Sequence, residues 1–180
     1  MIRRREVIIG TGGGFGYLFC HGVGFLTAGL VSFAAPAPAA ALVYALVAAP
    51  ALLAALGLGR IIGTPPIAAG NELWGLLVAL YCVPLVAMPA AIVLALAHPH
   101  FVPLLVATVF AAHLVPFGWL LSSRVYALGG VLLVALASVL YLAMGKGAFH
   151  FVGVIGGLAL IVGAWLAWRY AAAFSMRVGD

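Results

Sequence analysis

Six runs of about 20 apolar residues, separated by short turns, constrain this chain more than any other feature. They cover residues 13–34, 36–58, 73–96, 101–121, 125–144 and 148–171. An α-helix rises about 1.5 Å per residue, so each run matches a hydrocarbon layer of about 30 Å. Because backbone groups in lipid must be hydrogen-bonded within the protein, these runs predict helices. We therefore expect an all-α polytopic membrane protein: one membrane domain over residues 1–180, built as a bundle of six transmembrane helices.

Charged side chains are too few to cover a soluble domain. They make up 6% of the sequence, whereas soluble proteins carry roughly 25%. The net charge of +5 is therefore interpreted as a sign of topology, since basic residues collect on the cytoplasmic side, and no nucleic-acid partner is expected. If the N-terminus is cytoplasmic, Lys146 is the one basic residue that falls on the outer side of the membrane. The cytoplasmic side then holds Arg3, Arg4, Arg5, Arg60, Arg124, Arg169 and Arg177. This bias predicts that both termini are cytoplasmic.

The glycine-rich segment at residues 10–16, GTGGGFG, superficially matches a dinucleotide-binding fingerprint. The third glycine of the Gly-x-Gly-x-x-Gly spacing would fall at Phe15, and no acidic residue follows about 20 residues later. The small residues are better explained as a closely packed start to the first transmembrane helix. No cofactor is expected, and Cys20 and Cys82 lie in apolar runs, where buried core positions are more plausible than a disulfide.

Ionisable side chains inside a membrane are costly, so each one requires an explanation. His21, His113, Tyr81, Cys20 and Cys82 fall at a similar depth from the predicted cytoplasmic side. Three interpretations remain open for this layer: locally bonded polar groups, a proton or substrate pathway through His113, or a metal site. The candidate site residues are His21, His113, Asn71, Glu72, Tyr81, Cys82, Pro116, Trp119 and Tyr126.

Asn71 and Glu72 stand just before the third run. Asn71 is predicted to be the N-cap of that helix, and Glu72 to face its positive end. The alternatives for Glu72 are a gating role or an ion pair with Arg60 or Arg124.

Pro116 lacks an N–H and so frees the carbonyl of Ala112 beside His113. Trp119, close to the predicted interface between membrane and water, is expected to belong to the aromatic belt.

The chain has no paired carboxylates, no Ser-His-acid set and no His-Glu-x-x-His motif. We therefore expect neither an enzyme nor a resident metal ion.

The run at residues 111–126, AAHLVPFGWLLSSRVY, resembles the end of the fourth helix in a family of uncharacterised bacterial inner-membrane proteins. That family, a domain of unknown function, carries a His-Leu-x-Pro-aromatic-x-Trp-Leu run, then a serine-containing turn and a tyrosine. The matching positions here are His113, Leu114, Pro116, Phe117, Trp119, Leu120, Ser123 and Tyr126. The resemblance implies six helices and a multi-pass location in the bacterial inner membrane. It implies no activity.

Two functions from different classes remain open. The first is a small permease or channel-like transporter with a polar layer near His113. The second is a non-transporting membrane scaffold or assembly partner that associates through glycine-rich and tryptophan-bearing helix faces. The expected partners are the lipid bilayer and either further copies of the chain or other membrane proteins. A water-reachable cavity at the polar layer would favour transport.

Overall fold

The computed structural model describes residues 2–68 and 70–177, with side chains described for residues 3–68 and 70–174. Within these ranges the chain forms helices and turns, with no β-strand. The eight α-helices are α1 (Ile2–Gly10), α2 (Phe15–Ser32), α3 (Ala37–Leu46), α4 (Ala48–Ile61), α5 (Trp74–Ala97), α6 (Val102–Leu120), α7 (Arg124–Met144) and α8 (Ala148–Arg177). Short 3-10 turns occupy Gly12–Gly14, Pro99–Phe101 and Gly145–Gly147.

Five stretches of the described chain are long and apolar enough to cross a membrane. They are Gly12–Ser32, Ala37–Ile61, Trp74–Ala97, Pro99–Leu120 and Arg124–Phe174. The last has 51 residues, which is too long for one crossing at about 1.5 Å per residue. The turn at Gly145–Gly147 divides it into α7 and α8. The predicted all-α bundle of six long helical segments is thus confirmed, and it is compatible with a membrane protein.

The second segment is broken into α3 and α4. The break lies at Val47, three residues before Pro50. Pro50 has no N–H to donate to the carbonyl of Leu46, so the hydrogen-bond ladder is interrupted there. The backbone bonds that continue across the break run from Val47 to Val43 and from Ala51 to Val47, at 3.0 and 3.1 Å.

The basic residues at the N-terminus lie on a helix of their own, α1, which is separate from the first long segment. Gly12, Gly13 and Gly14 join α1 to α2 with φ values of 57°, 65° and 76°. These left-handed conformations favour glycine, because a Cβ atom there meets the following carbonyl. A Cβ atom on Gly13 would also lie 2.7 Å from the carbonyl oxygen of Ala167 in α8. The glycines therefore let the chain turn directly against α8.

Helices α2 and α8 pack backbone to backbone. A Cβ atom on Gly157 would lie 2.5 Å from the amide nitrogen of Leu26 and 2.7 Å from the carbonyl oxygen of Gly22. One on Gly29 would lie 2.5 Å from the amide nitrogen of Val154. Such close approach is available only to glycine, and it is the usual device for joining apolar helices that cannot rely on a hydrophobic driving force.

The bundle has two chemically different ends. The basic end is the end that carries Arg3, Arg4, Arg60, Arg124 and Arg169. It is held together by the hydroxyls of Tyr126 and Tyr170, which donate to the carbonyls of Gly13 and Ser122 at 2.5 and 2.7 Å. The opposite end carries His100 and His150. There the Ser32 hydroxyl lies 2.9 Å from the Nδ1 of His150, and the Tyr141 hydroxyl donates to the His100 carbonyl.

The α2–α8 contact predicts that Gly157→Ala destabilises the bundle. The added methyl group has no space, and overpacking of this kind costs about 1–3 kcal/mol. The measurement is the unfolding midpoint in detergent. Gly129→Ala in α7 is the matched control, since a Cβ atom there meets nothing within 4 Å. Equal midpoints for the two variants would contradict the described packing.

Candidate functional site

A hydrogen bond between α2 and α6 lies at the centre of the candidate site. The Tyr17 hydroxyl and the Nε2 of His113 are 2.7 Å apart, and both residues are only 2% exposed. The other ring nitrogen of His113, Nδ1, lies 3.1 Å from the carbonyl oxygen of Val109. Both nitrogens of this histidine are therefore bonded within the protein.

These contacts fix the tautomer of His113. A carbonyl oxygen can only accept a hydrogen bond, so Nδ1 must carry the proton that bonds to Val109. In the neutral ring Nε2 is then an acceptor, and the Tyr17 hydroxyl donates to it. The bond thus has a defined direction, from α2 to α6.

His21 has the same tautomer but lacks the second bond. Its Nδ1 lies 2.9 Å from the carbonyl oxygen of Tyr17, one helical turn earlier, so this nitrogen is the donor. Its Nε2 is then an acceptor, and no group within the described part of the chain bonds to it. The side chain is 1% exposed. A buried acceptor without a donor is costly, and we therefore treat it as a point where a ligand can bind.

Aromatic rings surround these polar groups. We call the set formed by Tyr17, Tyr81, Phe110 and Phe117 the aromatic plug. The ring of Tyr17 is at its centre, with centroid distances of 4.8, 5.8 and 5.3 Å to the other three rings. His113 meets Phe110 and Phe117 edge to face, at 4.7 and 5.8 Å. The plug therefore brings together α2, α5 and α6.

A partly open cavity of about 570 Å³ lies on one side of the plug, at the basic end. We call it the vestibule. Tyr17 and Tyr81 line its inner part, and Thr11, Arg60 and Thr64 supply polar groups nearer the basic end. The rest of the lining comes from the end of α1, from α2, α4 and α5, and from the loop after α4. The vestibule thus extends from the basic end to the Tyr17 and Tyr81 rings.

An inner cavity of about 20 Å³ lies on the other side of the plug. Its lining is apolar except for His21 and Tyr44, and it includes Phe110 and Met88. This volume suffices for about one water molecule. The ring of Tyr17 lies 4.2 Å from that of His21 and 5.8 Å from that of Phe110. Members of the plug therefore border both cavities: Tyr17 and Tyr81 line the vestibule, and Phe110 lines the inner cavity.

The structure brings His21, His113 and Tyr81 together around Tyr17, but it leaves other candidates outside this group. Tyr126 is 1% exposed, and its hydroxyl bonds to Gly13 at the α1–α2 turn. Its ring still lies 5.8 Å from that of Phe117. Pro116 is half-buried within α6. Cys20 and Cys82 are free and half-buried.

Trp119 lies on the outside, with its side chain 56% exposed. The guanidinium carbon of Arg4 lies 3.9 Å from its ring centroid, a cation–π contact. Trp119 therefore connects α1 to the end of α6 and does not line either cavity.

Asn71 and Glu72 connect α1 to the start of α5. The Asn71 amide donates to the Arg3 carbonyl and the Glu6 carboxylate, both at 2.9 Å, and its oxygen accepts from Leu73 N–H at 2.9 Å. Asn71 therefore closes an Asx-type turn and is not the N-cap, which is Leu73. Glu72 pairs with Arg3, so both partners proposed from the sequence, Arg60 and Arg124, were wrong. The sequence could not indicate this pairing, because α1 was not predicted as a helix.

Tyr17 is the site residue that sequence reasoning missed. Its spacing of four residues from His21 places both side chains on one face of α2, and that spacing was the available signal. No group of three His, Cys, Asp or Glu side chains in the described part of the chain is close enough to hold a metal ion.

The family model described as "Family of unknown function (DUF7010)" matches residues 3–170. The chain belongs to this family. The predicted membership of an uncharacterised family is thus confirmed. No curated protein and no solved structure matches the chain. Since the family has no assigned activity, the function must be argued from the plug and its two cavities.

We expect Tyr17→Phe to destabilise the bundle by about 1–3 kcal/mol, because the substitution leaves His113 Nε2 buried without a donor. The measurement is the unfolding free energy in detergent. Tyr81→Phe is a matched control: its ring lies beside that of Tyr17 and lines the vestibule, and no hydrogen bond in the described chain involves its hydroxyl. The hydrogen-bond assignment fails if both variants keep wild-type stability.

Proposed function

We propose that this chain is a multi-pass protein of the bacterial inner membrane that acts as a small permease or channel-like transporter for uncharged solutes. The observation that carries the proposal is the arrangement of two cavities on either side of one buried ring, Tyr17. A cavity that leads from one end of the bundle to a polar group in its interior is a feature of small-solute pathways.

The proposed orientation has the basic end in the cytoplasm. Arg3, Arg4, Arg60, Arg124 and Arg169 lie at this end, and Lys146 lies in the turn at the other. Positively charged residues favour the cytoplasmic side of a membrane. In this orientation the vestibule faces the cytoplasm, and both termini lie there.

The lining favours a small, uncharged solute that can hydrogen-bond. Arg60 is the charged residue of the vestibule lining, and the inner cavity has none. Moving an ion through such a lining would require it to lose its hydration without compensation. By contrast, the free acceptor Nε2 of His21 can take a hydrogen bond from an O–H or N–H group of a neutral solute.

The proposed gate is the Tyr17 ring. When its hydroxyl bonds to His113, the ring lies between the vestibule and the inner cavity. Breaking this bond would free the ring to rotate and would let a solute pass from the vestibule to His21. Beyond the inner cavity, the opposite end is closed by a second core of buried residues that includes Ala41, Val102 and Phe149. A conformation that is accessible from one end is what this proposal expects of a gated pathway.

The second candidate is a membrane scaffold or assembly partner, either as a homo-oligomer or with other membrane proteins. The observation in its favour is the outward exposure of Trp119 and Trp165, at 56% and 54%. The glycine face of α8 that this hypothesis relied on is covered by α2 of the same chain, at Gly153 and Gly157. A scaffold would therefore have to bind through its outer faces alone.

The proposal is tested by solute flux into proteoliposomes, followed by stopped-flow light scattering with water, ammonia, urea and glycerol. We expect at least one solute to enter faster than in protein-free vesicles. Leu52→Trp should lower this flux, because Leu52 lines the vestibule and the larger side chain narrows it. Tyr17→Ala should raise the flux by removing the gate.

Leu53→Trp supplies the matched control. Leu53 is the next residue on α4 and is 70% exposed, so the same change there should leave the flux at the wild-type rate. Transport would be contradicted if every solute entered vesicles with the wild-type protein at the same rate as protein-free vesicles. The assigned pathway would be contradicted by equal flux through the Leu52→Trp and Leu53→Trp variants.

A further inference from the structure

An apolar groove of about 390 Å³ runs along the outside of the bundle, away from the vestibule and the inner cavity. Its walls are α7 and α8, and its floor includes Leu18 of α2 and Leu114 of α6. Small residues widen it: Gly129 on α7, and Ala159 and Gly163 on α8. We call this feature the outer groove.

The length of the outer groove matches one leaflet of a bilayer. On α7 its lining runs from Arg124 to Leu136. Twelve residues of helix, at about 1.5 Å each, span about 18 Å, which is close to half of a hydrocarbon layer of about 30 Å. The groove therefore starts at the boundary of the membrane and ends near its middle, as an acyl chain of one leaflet does.

The end of the groove at the membrane boundary is positively charged. Arg124 is part of the lining and its side chain is exposed. It is also the first residue of α7, whose N-cap, Ser123, makes no side-chain cap bond. The N-terminal end of a helix carries a partial positive charge and favours phosphate groups. The arginine and the helix end thus supply one anion site at headgroup level.

We infer that the outer groove binds one anionic phospholipid, with an acyl chain along α7 and the phosphate at Arg124. The charge at one end and the apolar walls beyond it match the two parts of such a lipid. A neighbouring helix is a poorer fit, because a helix is about 10–12 Å across with its side chains and would leave the arginine without an anion. In the proposed orientation the basic end is cytoplasmic, so the lipid would belong to the cytoplasmic leaflet.

The test uses native mass spectrometry of protein incubated with equal amounts of phosphatidylglycerol and phosphatidylcholine of identical acyl chains. We expect the wild type to retain one phosphatidylglycerol in preference to phosphatidylcholine. Arg124→Gln should lower this retention roughly five-fold, the effect of one basic residue near a membrane surface. Gly129→Leu should abolish retention, because the new side chain occupies the groove. A Cβ atom at this position meets no protein atom within 4 Å, so the protein itself has room for the change.

Two control variants match these changes elsewhere at the basic end. Arg60→Gln removes an exposed arginine at the end of α4, and Gly57→Leu adds a side chain where a Cβ atom also meets nothing within 4 Å. Both should retain the lipid as the wild type does, and circular dichroism verifies that all four variants are folded. Equal retention of the two lipids, or equal losses in Arg60→Gln and Arg124→Gln, would overturn the inference. The inference would also be overturned if the wild type were a dimer, Gly129→Leu dissociated it, and lipid retention persisted. That result would assign the groove to a second copy of the chain.

Discussion

The hydrogen bond from Tyr17 to His113 is the interaction on which the arrangement of the site depends. A ring nitrogen buried among apolar side chains needs a donor, and in this bundle the donor comes from a different helix, 96 residues away in the sequence. The bond holds the Tyr17 ring in the middle of the aromatic plug. In the proposed function, this ring separates the vestibule from the inner cavity, and its rotation would join them.

Helix α2 has two faces with different tasks, and this explains its composition. Gly22 and Gly29 lie against α8 at backbone distance, so α8 can hold α2 firmly without large interlocking side chains. Tyr17 and His21 carry the polar chemistry towards α5 and α6. A rigidly held helix keeps both rings in position, as the proposed gate requires.

The sequence was sufficient to predict the number of long helical segments and the common depth of His21 and His113, because both depend only on distance along the chain. It did not show which side chains face one another. Most helices here are apolar on every face, so hydrophobic periodicity does not identify the buried side. Tyr17 was missed for this reason. The pairing of Glu72 with Arg3 was missed because it depends on where α1 lies, and α1 is a short helix with three adjacent arginines and an apolar run of only three residues, 7–9.

The central claim is that water reaches the plug from the basic end and stops there. The most direct measurement is labelling of single cysteines by a membrane-impermeant maleimide, in a background that lacks Cys20 and Cys82, because only a water-exposed thiol forms the reactive thiolate. Ala55 lines the vestibule, Ala54 beside it is exposed on the outside, and Ala48 lines the inner cavity. The account predicts that Ala55→Cys is labelled from the cytoplasmic side alone, and that Ala54→Cys and Ala48→Cys are labelled from neither side. Equal labelling of Ala55→Cys and Ala54→Cys, or labelling of Ala48→Cys as fast as Ala55→Cys, would contradict it.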